Sequence, residues 1–457
     1  MRPSIYSSSV NNSALQTDLY ELTMAAAYFE NGLNKPATFE LFIRSLPDDR
    51  GYLIAAGLEQ AIEYLETFHF DTEQIDFLRS QSVFANVSHT FFDYLSSVRF
   101  TGEVWAVEEG TPVFPSEPLL RITAPAIEAQ LAETYLLSVV TFETSIATKA
   151  ARCVHSAQGR PVLEFGSRRA HGPDAAVLAA RAAYIGGCAG SSNVEAGRRF
   201  GTPMFGTLAH SFVSSYEREE DSFRDFARVF PNDVVILLDT YDTLAAIDKI
   251  ASTGLRPSGV RLDSGDLVAL AKEVRRRLDQ HGLQRTKIVG SSDLDEHAIR
   301  ALLAAGAPID VFGVGTALAT SNDAPALGGV YKLVEFDGQP RGKLSESRDK
   351  ISYPGRKQVF RFTESGRYSG DVIALEGQDH PDGQPLLVPV MRAGKSVRPS
   401  LDLAHMRART MEQIATLPED VLRLRDPAKY RVSISPDIQH MLEEVRRRFR
   451  NSDRLVA

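Results

Sequence analysis

Apolar residues fall into two alternating rhythms through the middle of this chain. Short runs have the length and composition of buried strands: Val162-Leu-Glu-Phe165, Met204-Phe-Gly-Thr207, Val234-Val-Ile-Leu-Leu238, Gly259-Val-Arg-Leu262, Lys287-Ile-Val289 and Ile309-Asp-Val-Phe-Gly-Val314. Helical spacing follows most of them, over 174–183, 243–251, 267–280 and 293–305. Apolar strands alternating with helices predict a parallel sheet, and six or seven such units favour a barrel over an open sheet. The stretch 203–208 reads as a strand entered through Gly201-Thr-Pro, with a helix over 211–228 placing Phe212, Tyr216, Phe223 and Phe226 near one face. A long helix is expected over 127–155. The connection 184–193 is irregular and is assigned no strand.

The flanks read differently. Residues 1–14 are Ser/Asn-rich and expected to be a loose tail. A helix opens at Thr17 or Asp18, carries Glu21 in its first turn and ends at Asn31-Gly32. Residues 37–43 alternate as a strand, 55–68 return to helical spacing, and 104–107 and 119–122 are strands among Gly110, Pro112, Pro115 and Pro118. Beyond Gly328, the runs 330–336, 357–362 and 386–390 read as antiparallel strands, with turns at Asp337-Gly338 and Asp382-Gly383. A helix over 436–450 closes the chain, capped by Ser435 with Pro436 at its first position; its Arg446-Arg-Arg448 is read as a solvated face. The expected domains are 1–126, 127–327 and 328–457, the last packing with the first. No solenoid repeat is visible.

Composition narrows the class without naming a function. Hydrophobic residues at 43% and charged residues at 24% are ordinary for a globular protein, and a net charge of -8 argues against nucleic acid as the main partner. Cys153 and Cys188 match no zinc or redox spacing and fit a reducing compartment. The first ten residues have no apolar core of signal-peptide length, and no run approaches the ~18 apolar residues of a membrane span. A soluble, cytoplasmic protein is expected.

The chemistry-bearing residues collect where the strands end. The first strand leads into Phe165-Gly-Ser-Arg-Arg-Ala-His171, and the second into Thr207 and His210. Asp239 and Asp242 follow the third; Arg261, Asp263 and Asp266 accompany the fourth; Gly290-Ser-Ser-Asp293 and Gly313-Val-Gly-Thr316 close the last two. Each has a plain reading. Arg168 and Arg169 fit surface charges, Asp239 or Asp263 taken alone fits a helix cap, and the glycine loops fit ordinary turns. Chance, however, would scatter such residues along the helices as well. Small loops after the final strands of a barrel present backbone N–H groups to phosphate. Lys287, Arg261 and Arg168 add charge, and carboxylates beside a phosphate suggest magnesium or ribose hydroxyls. Neither a Walker A loop nor a strand-linked G-x-G-x-x-G is present. These residues therefore predict a phosphosugar-handling α/β barrel.

Five segments add a resemblance: Thr17-Asp-Leu-Tyr20-Glu-Leu-Thr-Met, Glu164-Phe-Gly-Ser-Arg-Arg169, Gly206-Thr-Leu-Ala-His-Ser211, Gly259-Val-Arg-Leu-Asp-Ser-Gly-Asp266 and Gly328-Gly-Val-Tyr-Lys-Leu333. In this order they resemble nicotinate phosphoribosyltransferase, from about residue 15 to 340. The resemblance implies a type II phosphoribosyltransferase fold, an irregular α/β barrel with a flanking α+β domain built from both chain ends, acting as a homodimer with shared sites. It implies condensation of nicotinate with 5-phospho-α-D-ribose 1-diphosphate (PRPP), with Mg2+ and with ATP as co-substrate. His210 matches the histidine phosphorylated from ATP. Phe165, with Tyr20 from the partner subunit, matches the aromatics that sandwich the pyridine. Arg261, Thr207 and Arg168 match substrate contacts. Asp239 and Asp263 match acids near the ribose and magnesium diphosphate, and Gly290, Ser291, Gly315 and Thr316 match the 5′-phosphate loops. Nicotinamide-using relatives carry an aspartate where this chain has Ser192, and a serine there tolerates the acid. Three rival readings stay open, the nearest a nicotinamide-preferring relative, which Ser192 disfavours. A phosphosugar lyase or isomerase needs a Schiff-base lysine or a poised carboxylate base, and Lys149 and Lys287 do not stand out for that role. A binding protein that has lost activity is opposed by His210, Arg261 and Asp263 occurring together.

Overall fold

The computed structural model describes residues 14–232, 234–344, 351–398 and 402–455. The expected tail lies almost wholly outside the described residues. The chain forms two units, one of 145–325 with 402–412, the other of 1–144, 326–401 and 413–457.

The first unit is built on parallel staves. Val162–Glu164, Gly190–Ser191, Val235–Leu237, Gly259–Leu262, Lys287–Gly290 and Val311–Val314 form one sheet, in which Val311–Val314 pairs back onto Val162–Glu164. A seventh segment bridges its two edges. Met204 pairs in parallel with Ser191, and the Phe205 N–H reaches the Ser191 carbonyl at 2.9 Å. On the other side the Leu208 N–H approaches the Val235 carbonyl at 3.4 Å. The ring therefore closes, each stave beside the next in sequence, with one stave too poorly paired to rank as a strand. The result is an irregular α/β barrel. Ile236, Val260, Leu262, Ile288, Phe312 and Val314 are fully buried in it. Helices Pro173–Ile185, Thr243–Thr253, Leu267–Gln280 and Glu296–Ala304 carry the chain between staves. Their inner faces are apolar, as with Ala246, Ile247 and Ile250 on Thr243–Thr253.

The second unit joins both chain ends in one antiparallel sheet. Its order is Gln339–Pro340, Gly329–Phe336, Pro36–Ile43, Pro118–Pro125, Glu103–Val107, Leu387–Arg392 and Lys395–Ser396. A four-stranded sheet adds Gln384–Pro385, Lys357–Glu364, Arg367–Leu375 and Val432–Ile434. Buried ion pairs stitch it: the Lys357 ammonium is 2.8 Å from Glu40, and Arg361 is 2.6 Å from Asp371.

Several expectations need correction. The irregular 184–193 connection holds the short strand Gly190–Ser191. The 127–155 helix is two, Ala126–Leu131 and Glu133–Ser156, because the Glu21 carboxylate takes the Thr134 N–H at 3.0 Å and caps a fresh start. The 211–228 helix is also two, His210–Val213 and Glu219–Val229. The Ser215 hydroxyl donates to the Phe212 carbonyl at 2.7 Å, competing with the helix ladder, and three acids from Glu219 to Asp221 favour a new N-terminus. Strand Arg367–Leu375 and helix Leu403–Thr416 were not anticipated. Among the described residues no helix is long and apolar enough to cross a membrane.

Ile288, 0% exposed at the centre of its stave, tests how tightly the barrel is packed. Ile288→Ala is expected to cost about 2–5 kcal/mol in denaturant unfolding. A cost below about 1 kcal/mol would mean a loosely filled interior.

Candidate active site

The residues at the carboxyl ends of the staves gather at one end of the barrel because the staves run parallel. Arg261 is the hub. Its Nε donates to the Ser291 hydroxyl at 2.9 Å, Nη1 to the Thr207 hydroxyl at 3.0 Å, and Nη2 to Asp263 Oδ1 at 2.7 Å. The Ser291 hydroxyl also lies 2.6 Å from Asp263 Oδ1. The guanidinium stands 5.8 Å from the centre of the Phe165 ring, within cation–π range. One guanidinium thus gathers residues from four staves. Behind Phe165 there is no room for a side chain at Gly313, where a Cβ would lie 2.8 Å from the ring.

Asp239 lies on the other side of Asp263. Its Oδ2 accepts from the Asp263 N–H at 3.1 Å and the Ser264 hydroxyl at 2.5 Å. Oδ1 is buried and meets no donor. Neither Asp239 nor Asp263 caps a helix, contrary to the reading of each alone; Asp242 and Asp266 do so, each accepting from two backbone N–H groups. Capping needs an acid at the turn just before the helix, which leaves the strand-end acids for other work. Among the described residues no three acids, histidines or cysteines form a metal cluster. A magnesium ion needs fewer protein ligands, since it binds through one or two carboxylates plus water and phosphate, and the orphaned Asp239 oxygen fits that demand.

His210 opens the short helix His210–Val213, exposed, with Nδ1 3.2 Å from the Thr240 hydroxyl. Ser291 ends at a bend where Ser292 and Asp293 hold left-handed φ values of 90° and 40°. Non-glycine residues there cost on the order of 1–3 kcal/mol each, a cost met with at sites where backbone is aimed at a ligand. Gly290 is buried against Ile309, and Gly315 precedes the turn Thr316–Ala319. Arg168 is exposed in the turn Ser167–Arg169. Lys287 does not join the set: it begins its stave, and three residues of extended chain put it ~10 Å from the end that carries Ser291. Lys149 is no Schiff-base candidate either, being buried 2.6 Å from Glu296 and 2.8 Å from Asp323. Tyr20 belongs to the other unit, 46% exposed on helix Leu19–Glu30.

Sequence reasoning gave Glu164 no role, although an acid inside an apolar run was a signal. It is 1% exposed; its carboxylate accepts from the Gly166 N–H and, at 2.5 Å, from the Ser191 hydroxyl. Its own carbonyl accepts from the Ser192 N–H at 3.0 Å. Glu164 therefore pins the turn behind Phe165 to the loop that carries Ser192.

A parallel barrel with this mouth, together with a unit built from both chain ends, defines a phosphoribosyltransferase of the irregular-barrel class. Family models agree: residues 15–141 match the nicotinate phosphoribosyltransferase N-terminal domain, 382–442 its C-terminal domain, and 146–324 the quinolinate phosphoribosyl transferase C-terminal domain. The chain is 48% identical over 443 residues to a nicotinate phosphoribosyltransferase of Mycobacterium tuberculosis, covering 95% of this chain and 94% of that one. It is 44% identical over 387 residues to the nicotinate phosphoribosyltransferase of Bacillus subtilis, covering 82% and 78%. Among solved structures, human nicotinic acid phosphoribosyltransferase superposes with a TM-score of 0.83 at 31% identity, over 94% of this chain and 99% of the other. This chain belongs to the nicotinate phosphoribosyltransferase family.

Burial raises the Glu164 carboxyl above its ordinary value, against the pull of Ser191 and Gly166. A folded pKa above the unfolded one means a contribution to stability that is complete below the unfolded value and lost as pH rises through the folded one. The stability of Glu164→Gln relative to wild type should therefore grow in thermal melts as pH rises above the ordinary carboxylate range. A flat difference would show that folding leaves this carboxyl unperturbed.

Proposed function

We propose that this chain condenses nicotinate with PRPP to nicotinate mononucleotide and diphosphate, with ATP hydrolysed through a phosphohistidine at His210. The observation that carries the reading is the Arg261 hub beside Phe165: one fixed cation next to one aromatic face suits a flat, anionic ring.

In this reading Phe165 stacks on the pyridine, and Tyr20 of the partner subunit covers the opposite face. Stacking holds the ring nitrogen on line to C1 of the ribose, which is a positioning effect. Arg261 uses three of its five N–H donors on the protein and keeps two for the carboxylate, with Thr207 and Arg168 as further contacts. As diphosphate departs, positive charge develops on the ribose, and Asp239 and Asp263 would supply the negative charge that stabilises it. Asp239, through the oxygen that meets no donor, and Asp263 would hold magnesium, which when bound stabilises the charge on departing diphosphate. The backbone at Gly290, Ser291, Gly315 and Thr316 receives the 5′-phosphate.

His210 contacts Thr240 through Nδ1. With Nδ1–H donating to that hydroxyl, Nε2 carries the lone pair that attacks the γ-phosphorus of ATP as ADP leaves. A homodimer with shared sites follows from the role given to Tyr20. A cytoplasmic setting accords with two buried, free thiols.

Product formation tests the reading, with nicotinate and nicotinamide offered in parallel, with PRPP and magnesium, with and without ATP. Nicotinate mononucleotide should form faster with ATP, and His210→Ala should abolish that stimulation while leaving the ATP-independent rate measurable. Full stimulation in the variant would remove His210 from the coupling. Ser192→Asp should shift preference towards nicotinamide, because a carboxylate there repels the acid and accepts from the amide. An unchanged preference would dismiss Ser192 as the selector.

A further inference from the structure

A buried ionic cluster lies in the barrel unit, none of it used by the chemistry above. The Lys149 ammonium, 1% exposed, is 2.6 Å from Glu296 Oε2 and 2.8 Å from Asp323 Oδ1. Arg152 Nε donates to the second Glu296 oxygen at 2.8 Å. The Glu296 side chain is 0% exposed, that of Asp323 38%. Burial pushes the Glu296 carboxyl up, and Lys149 and Arg152 more than reverse it, leaving it below its ordinary value.

The partners' places in the chain give the cluster its meaning. Glu296 opens helix Glu296–Ala304, entered directly from the Gly290 to Asp293 bend with its two left-handed residues. Asp323 lies just beyond the turn Thr316–Ala319 that follows Gly315. The two staves pair only up to Gly290 and Phe312, so the loops leave the ladder at that point. Past it, Lys149 is bonded to the segments behind both loops at once. An ammonium with two carboxylate partners at fixed distances sets spacing, which an apolar contact of similar volume does not.

We propose that Lys149 is a positioning residue for PRPP, holding the Gly290–Ser291 and Gly315–Thr316 loops at the separation that one phosphate group requires. The inference rests on the reading of these loops as the 5′-phosphate site. Lys149 touches no substrate and acts through Glu296 and Asp323.

The test compares wild type, Asp323→Asn and Lys149→Met in magnesium buffer. PRPP binding is followed by titration calorimetry and the KM of each substrate by product formation. Asp323→Asn breaks one tie and leaves the buried Lys149–Glu296 pair intact, so it reports even where Lys149→Met fails to fold by circular dichroism. The expected result is a rise of about fivefold or more in the Kd and KM for PRPP, with kcat and the KM for nicotinate within about twofold. Unchanged PRPP binding, or both KM values and kcat moving together, would make the cluster structural only and overturn the proposal. Wild type that binds PRPP without turning over nicotinate would sink the functional reading alone, and the Kd ratio would still decide the role of Lys149. Wild type that does not bind PRPP would overturn both.

Discussion

The Arg261 guanidinium is the constraint around which the barrel mouth is arranged. A partly buried cation needs acceptors, and here they come from three staves, with an aromatic face from a fourth. Satisfying the charge therefore sets the separation of the Thr207, Asp263 and Ser291 strand ends. Both contacts to the Asp263 carboxylate fall on Oδ1, from Arg261 and from Ser291. Asp239 is in turn oriented by the Asp263 backbone and Ser264, so the acids form a chain of dependence that begins at one arginine.

Most of the barrel was legible because its buried parallel strands are short and mostly apolar, whereas its helices carry polar outer faces. Five of the six proposed runs are staves of the sheet, and Met204 contributes the bridging segment. What escaped the pattern was whatever depends on a distant partner. Nothing between residues 127 and 155 announces a break at Ala132, because the group that makes it, Glu21, comes from another helix. Gly190–Ser191 has no apolar signature; its strand character exists only through Leu163 and Glu164 on one side and Met204 on the other. Arg367–Leu375 hid behind Arg, Ser and Asp in a strand whose Asp371 is balanced by Arg361.

The site was legible in its residue types more than in its geometry. Strand-end position picked out Phe165, Thr207, Asp239, Arg261, Asp263 and Ser291, and direct contacts now link all six. Lys287 was admitted for its charge, although a strand's first residue lies at the opposite end of a parallel barrel from the strand ends that carry the site. Glu164 and Lys149 went unused because a buried charge reads as an anomaly until its partners are known. Both hold loops rather than ligands.

The interleaving of the two chain ends also governs how the molecule is made. Strand Pro36–Ile43 sits between Pro118–Pro125 and Gly329–Phe336. As the chain leaves the ribosome, one edge finds its partner early. The other stays open until the whole of the barrel sequence has emerged. An unpaired edge exposed for that long is a template for pairing with other chains. The staves of the barrel, the last of which ends at Val314, can form their parallel ring during that interval. Synthesis order thus places the slow, long-range closure last, after the segment that will bear the chemistry.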